Sequence, residues 1–340
     1  MPMRIIRNIF IAVIILSVLA TGSVYLCLRS PKLLAKTLKA VADRQAGPVR
    51  LTTLQIKETK FLSPASYHIN EVSAELQLSE PQAKISVTIE HLGFENLYKA
   101  IFKDENLFIK WNKVQISSDE LALNVTQLSG ELKSAGVDLN SATGFLKAEK
   151  INSGDYLARN VKSDVTINPQ NVLLENFTAD AYGGSVSGNI SFVYEPEVTY
   201  HIEIDLDGID SARLASVVAL FNDLRGLISG WAKIDGDDSE IFSLSGAFNI
   251  VEGGQVRASM LAPLLQYIPA SQQKTQLNAL IAADGLVPLQ KARIHLDSES
   301  TEKLTTQFNL SSKEYNLDLN LTVDVNVDGG LARLLDFHKN

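Results

Sequence analysis

The chain has 340 residues, of which 45% are hydrophobic and 21% are charged, a composition typical of folded protein rather than of disordered protein. Its net charge of −8 argues against a broad basic surface for nucleic acid. The single cysteine, Cys27, excludes an internal disulfide framework and a cysteine zinc site, and the five histidines lack metal-ligand spacing. We therefore predict no metal, no cofactor and no nucleic-acid partner.

The N-terminal segment predicts a membrane anchor. Residues 8–28 carry no charge, and as a helix rising about 1.5 Å per residue they would span roughly 30 Å. A cleaved signal peptide is the alternative, because Ala20 and Gly22 offer small residues for a cut. The apolar run continues past them through Leu26, which favours retention. We assign residues 1–29 to a transmembrane anchor.

The orientation of this anchor is a balance of two arguments. Basic residues flank the span on both sides, and the positive-inside rule alone would keep the bulk of the chain cytoplasmic. A long domain can be translocated regardless of that bias, and the absence of cysteine after Cys27 suits an exported chain without disulfides. We predict export.

A few helices are expected around a β-rich body. Residues 30–45 form a predicted juxtamembrane helix, with an apolar stripe that would lie on the membrane surface and comprises Leu33, Leu34, Leu38 and Val41. Further helices are predicted over residues 94–102, 210–224 and 258–283, the last broken at Pro263 and Pro269. These helices would cap an end of a sheet or cover an edge.

Strict alternation of apolar and polar residues is the strongest signal in the rest of the chain. Residues 316–328 place six apolar side chains on one face: Leu317, Leu319, Leu321, Val323, Val325 and Val327. Residues 201–207 repeat the pattern with Ile202, Ile204 and Leu206. Further candidate strands are 84–90, 107–116, 121–128, 164–167, 187–194, 229–235, 243–251, 293–297 and 305–311. We predict an elongated, curved antiparallel sheet with one apolar face, divided into residues 46–150 and 151–340.

Glycines inside these strands are consistent with curvature. Ser-Gly pairs open alternating stretches at residues 129–130, 187–188, 229–230 and 245–246. Glycine in a strand permits the sharp bend that a rolled sheet requires, although the same pairs are also common in turns.

No catalytic constellation is apparent in the sequence. The chain lacks the GxSxG, HExxH, GxxxxGK[ST] and GxGxxG motifs, so we predict that it is not an enzyme. Trp111 and Trp231 would stack on a ligand or, as is more frequent, pack in a core or an interface.

Residues 155–337 resemble the C-terminal region of the AsmA-like superfamily, in particular its TamB and YdbH types. The resemblance depends on a strand ending in Tyr182-Gly183-Gly184, then Gly208-Ile209-Asp210 before a helix, then the strand 227–230. Residues 253–256 and the closing alternating strand resemble the YdbH-type ending.

This resemblance implies an inner-membrane anchor, a periplasmic body and an open β-groove that moves phospholipid between membranes for outer-membrane lipid homeostasis. The implied partners are phospholipid, the inner membrane through residues 8–28, and envelope or outer-membrane proteins. The groove would be lined by the apolar residues of the two alternating stretches, 202–206 and 317–327. Two alternatives remain: the same face closes as an ordinary core, and the protein is a structural or assembly scaffold of the envelope that binds no lipid.

Overall fold

The computed structural model describes residues 30–42, 49–63, 66–79, 82–103, 105–136, 141–194, 198–216, 221–237, 239–250, 254–267, 270–327 and 330–331. The helices in these residues are α1 Pro31–Ala42, α2 Leu97–Lys103, α3 Ser211–Leu214, a 3-10 helix Ala258–Tyr267, and α4 Gln272–Ala282. The strands are β1 Val49–Ser63, β2 Ser66–Leu78, β3 Ala83–Glu95, β4 Leu107–Ser118, β5 Leu123–Ser134, β6 Ala142–Ser153, β7 Tyr156–Ile167, β8 Asn171–Ala181, β9 Gly184–Val193, β10 Thr199–Asp210, β11 Leu224–Arg225, β12 Leu227–Asp237, β13 Ile241–Ile250, β14 Gln255–Arg257, β15 Leu286–Pro288, β16 Lys291–Ser300, β17 Lys303–Ser312 and β18 Leu317–Asn326.

Fifteen of these strands form one antiparallel sheet. Their order is β1 to β10, then β12, β13, β16, β17 and β18, so most neighbours in the sheet are also neighbours in the chain. Strands β11, β14 and β15 form a separate small sheet. The predicted mainly β fold with one large antiparallel sheet and few helices is confirmed.

The predicted membrane anchor, residues 1–29, lies outside the described residues. Within the part of the chain that the structure describes, every helix is too short or too polar to cross a bilayer.

The apolar side of helix α1 is largely buried against the rest of the protein. Leu34 is fully buried and Leu38 is 3% exposed, and the helix packs beside β1, where Lys39 Nζ donates to the Thr52 carbonyl. Leu33 remains half-exposed. The predicted placement of this stripe on a membrane surface is therefore wrong for Leu34 and Leu38, because β1 covers them.

The later helices are shorter than predicted. Asp210 accepts a hydrogen bond from the Ala212 N–H and so caps α3, as predicted, but the helix ends at Leu214 and Leu224 already belongs to β11. The stretch that contains Pro263 is a 3-10 helix, and α4 begins after Ser271, whose side chain accepts from the Lys274 N–H.

The chain divides into two compact units, Met1–Ala179 with Ser191–Pro196, and Asp180–Ile190 with Glu197–Asn340. In the first unit, each strand from β2 to β8 interrupts its alternation once, and β1 does so twice, at Thr52–Thr53 and again at Lys57–Glu58. On β2, for example, the buried residues step from Ile69 to Val72, and on β3 they step from Ile89 to Leu92. Two consecutive polar residues then share the polar face.

These doubled polar pairs are Lys57–Glu58, Asn70–Glu71, Glu90–His91, Asn112–Lys113, Thr126–Gln127, Glu149–Lys150, Arg159–Asn160 and Glu175–Asn176. They are paired in register between β1, β2, β3 and β4 and again between β6 and β7, while β4 and β5 show two compensating register shifts. In five strands one member of the pair has a positive φ, namely Glu71, Lys113, Gln127, Asn160 and Asn176. A left-handed residue is costly without a glycine, so this band of pairs is a specified bend in the first unit.

The second unit keeps its alternation along β12, β16, β17 and β18, apart from a register shift next to the turn between β16 and β17. On β13 the buried residues step from Ile241 to Leu244, where the register with β12 shifts. Another interruption lies on β10, where the register shifts between Leu206 and Ile209 and Gly208 has a φ of 64°. Because β12 has no matching extra residue there, this is a local bulge.

Candidate functional site

The two predicted apolar stretches, on β10 and β18, lie on one face of the second unit. Strand register connects them across β12, β13, β16 and β17. One row of opposed residues is Ile204, Ala232, Gly246, Leu296, Thr306 and Val323. The next row is Leu206, Gly230, Phe248, Ile294, Phe308 and Leu321. At about 4.8 Å between strands, each row measures about 24 Å along the sheet.

Exposure along these rows is greatest at their two ends. Partial exposure is shared by Ile202, Ile204, Leu206, Leu317, Leu319, Leu321 and Val323. Val325 is 38% exposed, whereas Ile294 and Leu310 on the central strands are only 1% and 2% exposed. The apolar face thus has a packed centre. Its partly exposed residues form two strips, one on β10 (residues 202–206) and one on β18 (residues 317–325).

The predicted strand 316–328, whose apolar face included Val327, is longer than the observed strand. Strand β18 ends at Asn326, and Val327 leaves the ladder because its N–H donates to the Glu302 carbonyl at 2.7 Å. Val327 is 9% exposed and lies beside the turn between β16 and β17, so it does not continue the apolar strip.

The small sheet covers one end of the apolar face. The Phe221 ring meets the Phe248 ring edge-on, with centroids 5.6 Å apart. A Cβ added to Gly226 or to Gly254, which flank β11 and β14, would come within 2.8 Å or 2.4 Å of Ile250 Cγ2. The face is therefore closed at the Ile250 end by tightly packed backbone.

The opposite face of the same strands is polar. Its central row is Asp205, Trp231, Ala247, His295, Gln307 and Thr322. Trp231 is part-exposed on this polar face and so is not in the core, which leaves the predicted interface or ligand contact open, while Trp111 on β4 is 9% exposed and lies in the core.

A charged cluster joins β10 to β12 on that polar face. His201 Nδ1 hydrogen-bonds Asp235 Oδ1, and its Nε2 lies 3.3 Å from Glu203 Oε1. Lys233 Nζ lies 2.6 Å from the same Glu203 oxygen. The hydrogen bond to Asp235 raises the pKa of His201, partial burial opposes this, and Glu203 adds to the rise. The cluster favours the imidazolium.

A second histidine network crosses the first unit, and the sequence did not reveal it. Asn70 Nδ2 donates to Glu58 Oε2 at 2.9 Å, which leaves Asn70 Oδ1 as the acceptor of a hydrogen bond from His91 Nδ1 at 2.8 Å. His91 Nε2 then accepts from His68 Nδ1 at 2.9 Å, and Ser66 Oγ lies 2.9 Å from His68 Nε2. These hydrogen bonds fix one tautomer for each neutral ring. The pKa of His68 is lowered mainly by burial and, to a smaller extent, by electrostatic repulsion from His91.

We expect His68 to titrate below the ordinary histidine pKa and His201 to titrate above it, as measured by imidazole NMR on the full chain. As pH falls, His68 is protonated at a higher pH in the unfolded chain than in the folded chain. The contribution of neutral His68 to the free energy of unfolding is therefore lost as pH falls through the folded pKa. For His201 the sign is opposite, and its contribution is lost as pH rises through the folded pKa. Asp235→Asn should lower the pKa of His201 alone, and a His68 titration above that of His201 would contradict both assignments.

A concavity of about 720 Å³ lies on β1 to β5 in the first unit. Members of the doubled pairs line it together with other polar residues and three apolar ones: Lys57, Glu71, Glu90, Lys113, Gln127, Gln55, Ser73, Thr88, Gln115, Ile56, Val72 and Ile89. The charges pair with one another, Lys57 with Glu71 at 2.6 Å and Lys113 with Glu90 at 2.8 Å. None of the residues that line this concavity belongs to the predicted apolar site.

Comparison with known proteins identifies no relative, since no protein-family model, curated protein or solved structure matches the chain. Among the described residues, no three His, Cys, Asp or Glu side chains form a group suited to a metal ion. The functional argument therefore depends on the apolar face itself.

Proposed function

We propose that the chain is a membrane-anchored periplasmic protein whose apolar sheet face binds phospholipid acyl chains and serves their transfer between membranes, for outer-membrane lipid homeostasis. Residues 8–28 would tether it in the inner membrane as a single-pass protein. Phospholipid is the ligand, and the remaining partners are envelope or outer-membrane proteins. The AsmA-like resemblance of residues 155–337 supports the same proposal.

One observation carries this proposal: apolar side chains on β10 and β18 stay partly exposed, at the ends of rows whose centres are packed. Each methylene of an acyl chain gains about 0.8 kcal/mol when it leaves water for such a surface. The strips are aliphatic and carry no polar group, so a chain could slide along them without a deep energy minimum. The phospholipid headgroup would stay on the solvent side.

The proposal predicts that the purified full chain carries phospholipid and that charge on the β18 strip removes it. We expect Val323→Asp to reduce bound lipid at least about tenfold, which corresponds to about 1.4 kcal/mol and is less than the cost of burying an unpaired carboxylate. Lipid is measured by extraction and mass spectrometry. Val325→Asp, at a position already 38% exposed, tests the same strip with less risk to folding.

Thr322→Asp is the matched control, because Thr322 directly precedes Val323 and lies on the exposed polar face of the same strand. It should keep its lipid and its thermal unfolding temperature. A folded wild-type preparation without lipid, or equal loss of lipid in Thr322→Asp and Val325→Asp, would refute the proposal.

A scaffold that binds no lipid is the second candidate, and the packed centre of the face favours it. Ala292 and Ile294 are each 1% exposed, as expected for an ordinary core. Site-specific crosslinking from Val325 separates the two functions: lipid adducts favour transfer, while exclusively protein adducts favour the scaffold.

A further inference from the structure

One end of strands β1 to β4 carries large apolar side chains in water. Phe61 is 50% exposed and Leu62 is 64% exposed at the end of β1, and Tyr98 is 48% exposed in the first turn of α2. Strand register places these features at the same end, because Ser63 pairs with Ser66 and Ser66 pairs with Glu95, two residues before α2.

Lysines accompany each of these apolar side chains. Lys60 precedes Phe61, and α2 carries Lys99 and Lys103, all three exposed. Lys60 lies 2.7 Å from Glu58, and Lys99 lies 3.5 Å from Glu105, so the local charge is nearly balanced. Aromatic side chains beside lysines with long apolar stems are typical of protein surfaces at a bilayer interface.

The other end of the same strands has a different character. In the described residues of the turns after β2, β4 and β6, the exposed side chains are Ser79, Gln82, Asp119, Glu120, Ala122 and Asp155. None of these is a large apolar residue, and three are acids. A phospholipid surface would therefore distinguish the two ends.

Phe61 also connects the exposed end to the buried face of the first unit. Its ring lies 4.8 Å from the Tyr67 ring, and Tyr67 lies 6.3 Å from Phe94, centroid to centroid. Tyr67 and Phe94 are both fully buried, and all three belong to one cross-strand row on the apolar side. If Phe61 inserts into a bilayer, the bilayer would thus adjoin the buried apolar side of the first unit through Tyr67 and Phe94.

We propose that this end, made of Phe61, Leu62 and Tyr98 with Lys60, Lys99 and Lys103, docks on a phospholipid bilayer. The apolar side chains would enter the boundary between headgroups and acyl chains, and the lysines would reach the phosphates. The inference deepens the proposed function, on which it rests for the presence of a membrane, by naming the surface that would meet that membrane. Its test measures docking and is independent of bound lipid.

The experiment uses the full chain in a Cys27→Ser background, with an NBD fluorophore on Leu62→Cys, Tyr98→Cys or Asp119→Cys. The protein is reconstituted with phosphatidylcholine vesicles, with and without phosphatidylglycerol, that contain doxyl-labelled lipid as quencher. We expect at least about twofold quenching at residues 62 and 98, because insertion at an interface reaches about 5–10 Å. The matched reporter at residue 119, in the acidic turn after β4, should remain unquenched.

Absence of quenching at residue 62 and residue 98 would overturn the proposal, as would equal quenching at residue 119. A blue-shifted label that doxyl lipid does not quench would indicate a protein contact and would also overturn it. Greater quenching with phosphatidylglycerol supports a contribution from the lysines, and equal quenching in both vesicle types supports docking by the apolar side chains alone. Docking without co-purified lipid would refute only the proposed transfer function.

Discussion

Gly144→Ala is expected to destabilise the first unit by about 3 kcal/mol or more, at the upper end of the usual cost of overpacking. Gly144 lies inside β6, and a Cβ there would sit 1.8 Å from the Glu131 carbonyl oxygen and 2.9 Å from Leu132 Cα on β5. Both are backbone atoms, so no side-chain rotation can relieve the overlap. The two strands would have to separate. Chemical denaturation followed by circular dichroism measures the change in the free energy of unfolding.

Gly93→Ala provides the matched control within the same sheet. Gly93 also lies inside a strand, β3, and is buried, yet a Cβ there would meet only the His68 and His91 rings at 3.5 Å, an ordinary contact. Because alanine also restricts the unfolded chain, we expect a change between zero and about 1 kcal/mol of added stability. Equal destabilisation by both substitutions would show that strand glycines act through propensity, and that close approach of β5 and β6 is not the cause.

Residues 201–207 and 316–328 correspond to β10 and β18, and the candidates on β12, β13, β16 and β17 also overlap observed strands. In the large sheet β1, β2, β6 and β8 were missed, as were the three short strands of the small sheet. Each of those four contains a doubled polar pair, which shifts the apolar phase and obscures a period of two. On β3 and β7 only the unbroken parts, 84–90 and 164–167, were predicted, whereas the candidates on β4 and β5 ran across their pairs.

The doubled pairs were nevertheless present in the sequence. Asn70–Glu71 and Asn112–Lys113 each stand between apolar residues, and doubled polar pairs recur in eight successive strands. A single interruption resembles the end of a strand, and its structural role is apparent only when pairing shows that the interruptions lie side by side. Cross-strand register is a tertiary property, which explains why local pattern could not supply it.

The candidate site was predicted in part for a related reason. Alternation identified which face of β10 and β18 is apolar, but not which residues stay exposed, since exposure depends on what packs above them. Phe221 covers Phe248 from a segment outside the large sheet. Neither this contact nor the hydrogen bond between His68 and His91 follows from sequence spacing, because each joins residues that are more than 20 positions apart.

Deleting Glu71 is expected to destabilise the first unit by about 2–4 kcal/mol, although the residue is exposed and ends no element. Glu71 is the left-handed member of its doubled pair, with a φ of 51°. Without it β2 would alternate strictly, so Val72, Leu76 and Leu78, each 6% exposed or less, would stay on the apolar face. The strand would then be one residue short opposite the doubled pairs of β1 and β3, and each neighbour would have to take up its extra residue as a bulge and lose ladder hydrogen bonds.

Glu71→Gly keeps the spacing and separates the effect of strand pairing from that of the side chain. The substitution removes an ion pair to Lys57 whose partners are 70% and 57% exposed, a contribution of at most about 1 kcal/mol. Glycine accepts the positive φ without strain, which offsets much of that loss. We therefore expect Glu71→Gly to unfold within about 1 kcal/mol of the wild type, and the deletion variant to be about 2–4 kcal/mol less stable in chemical denaturation. A deletion variant as stable as the wild type would mean that β1 and β3 absorb their extra residues without cost, and pairing in register of the doubled pairs would then not stabilise the fold.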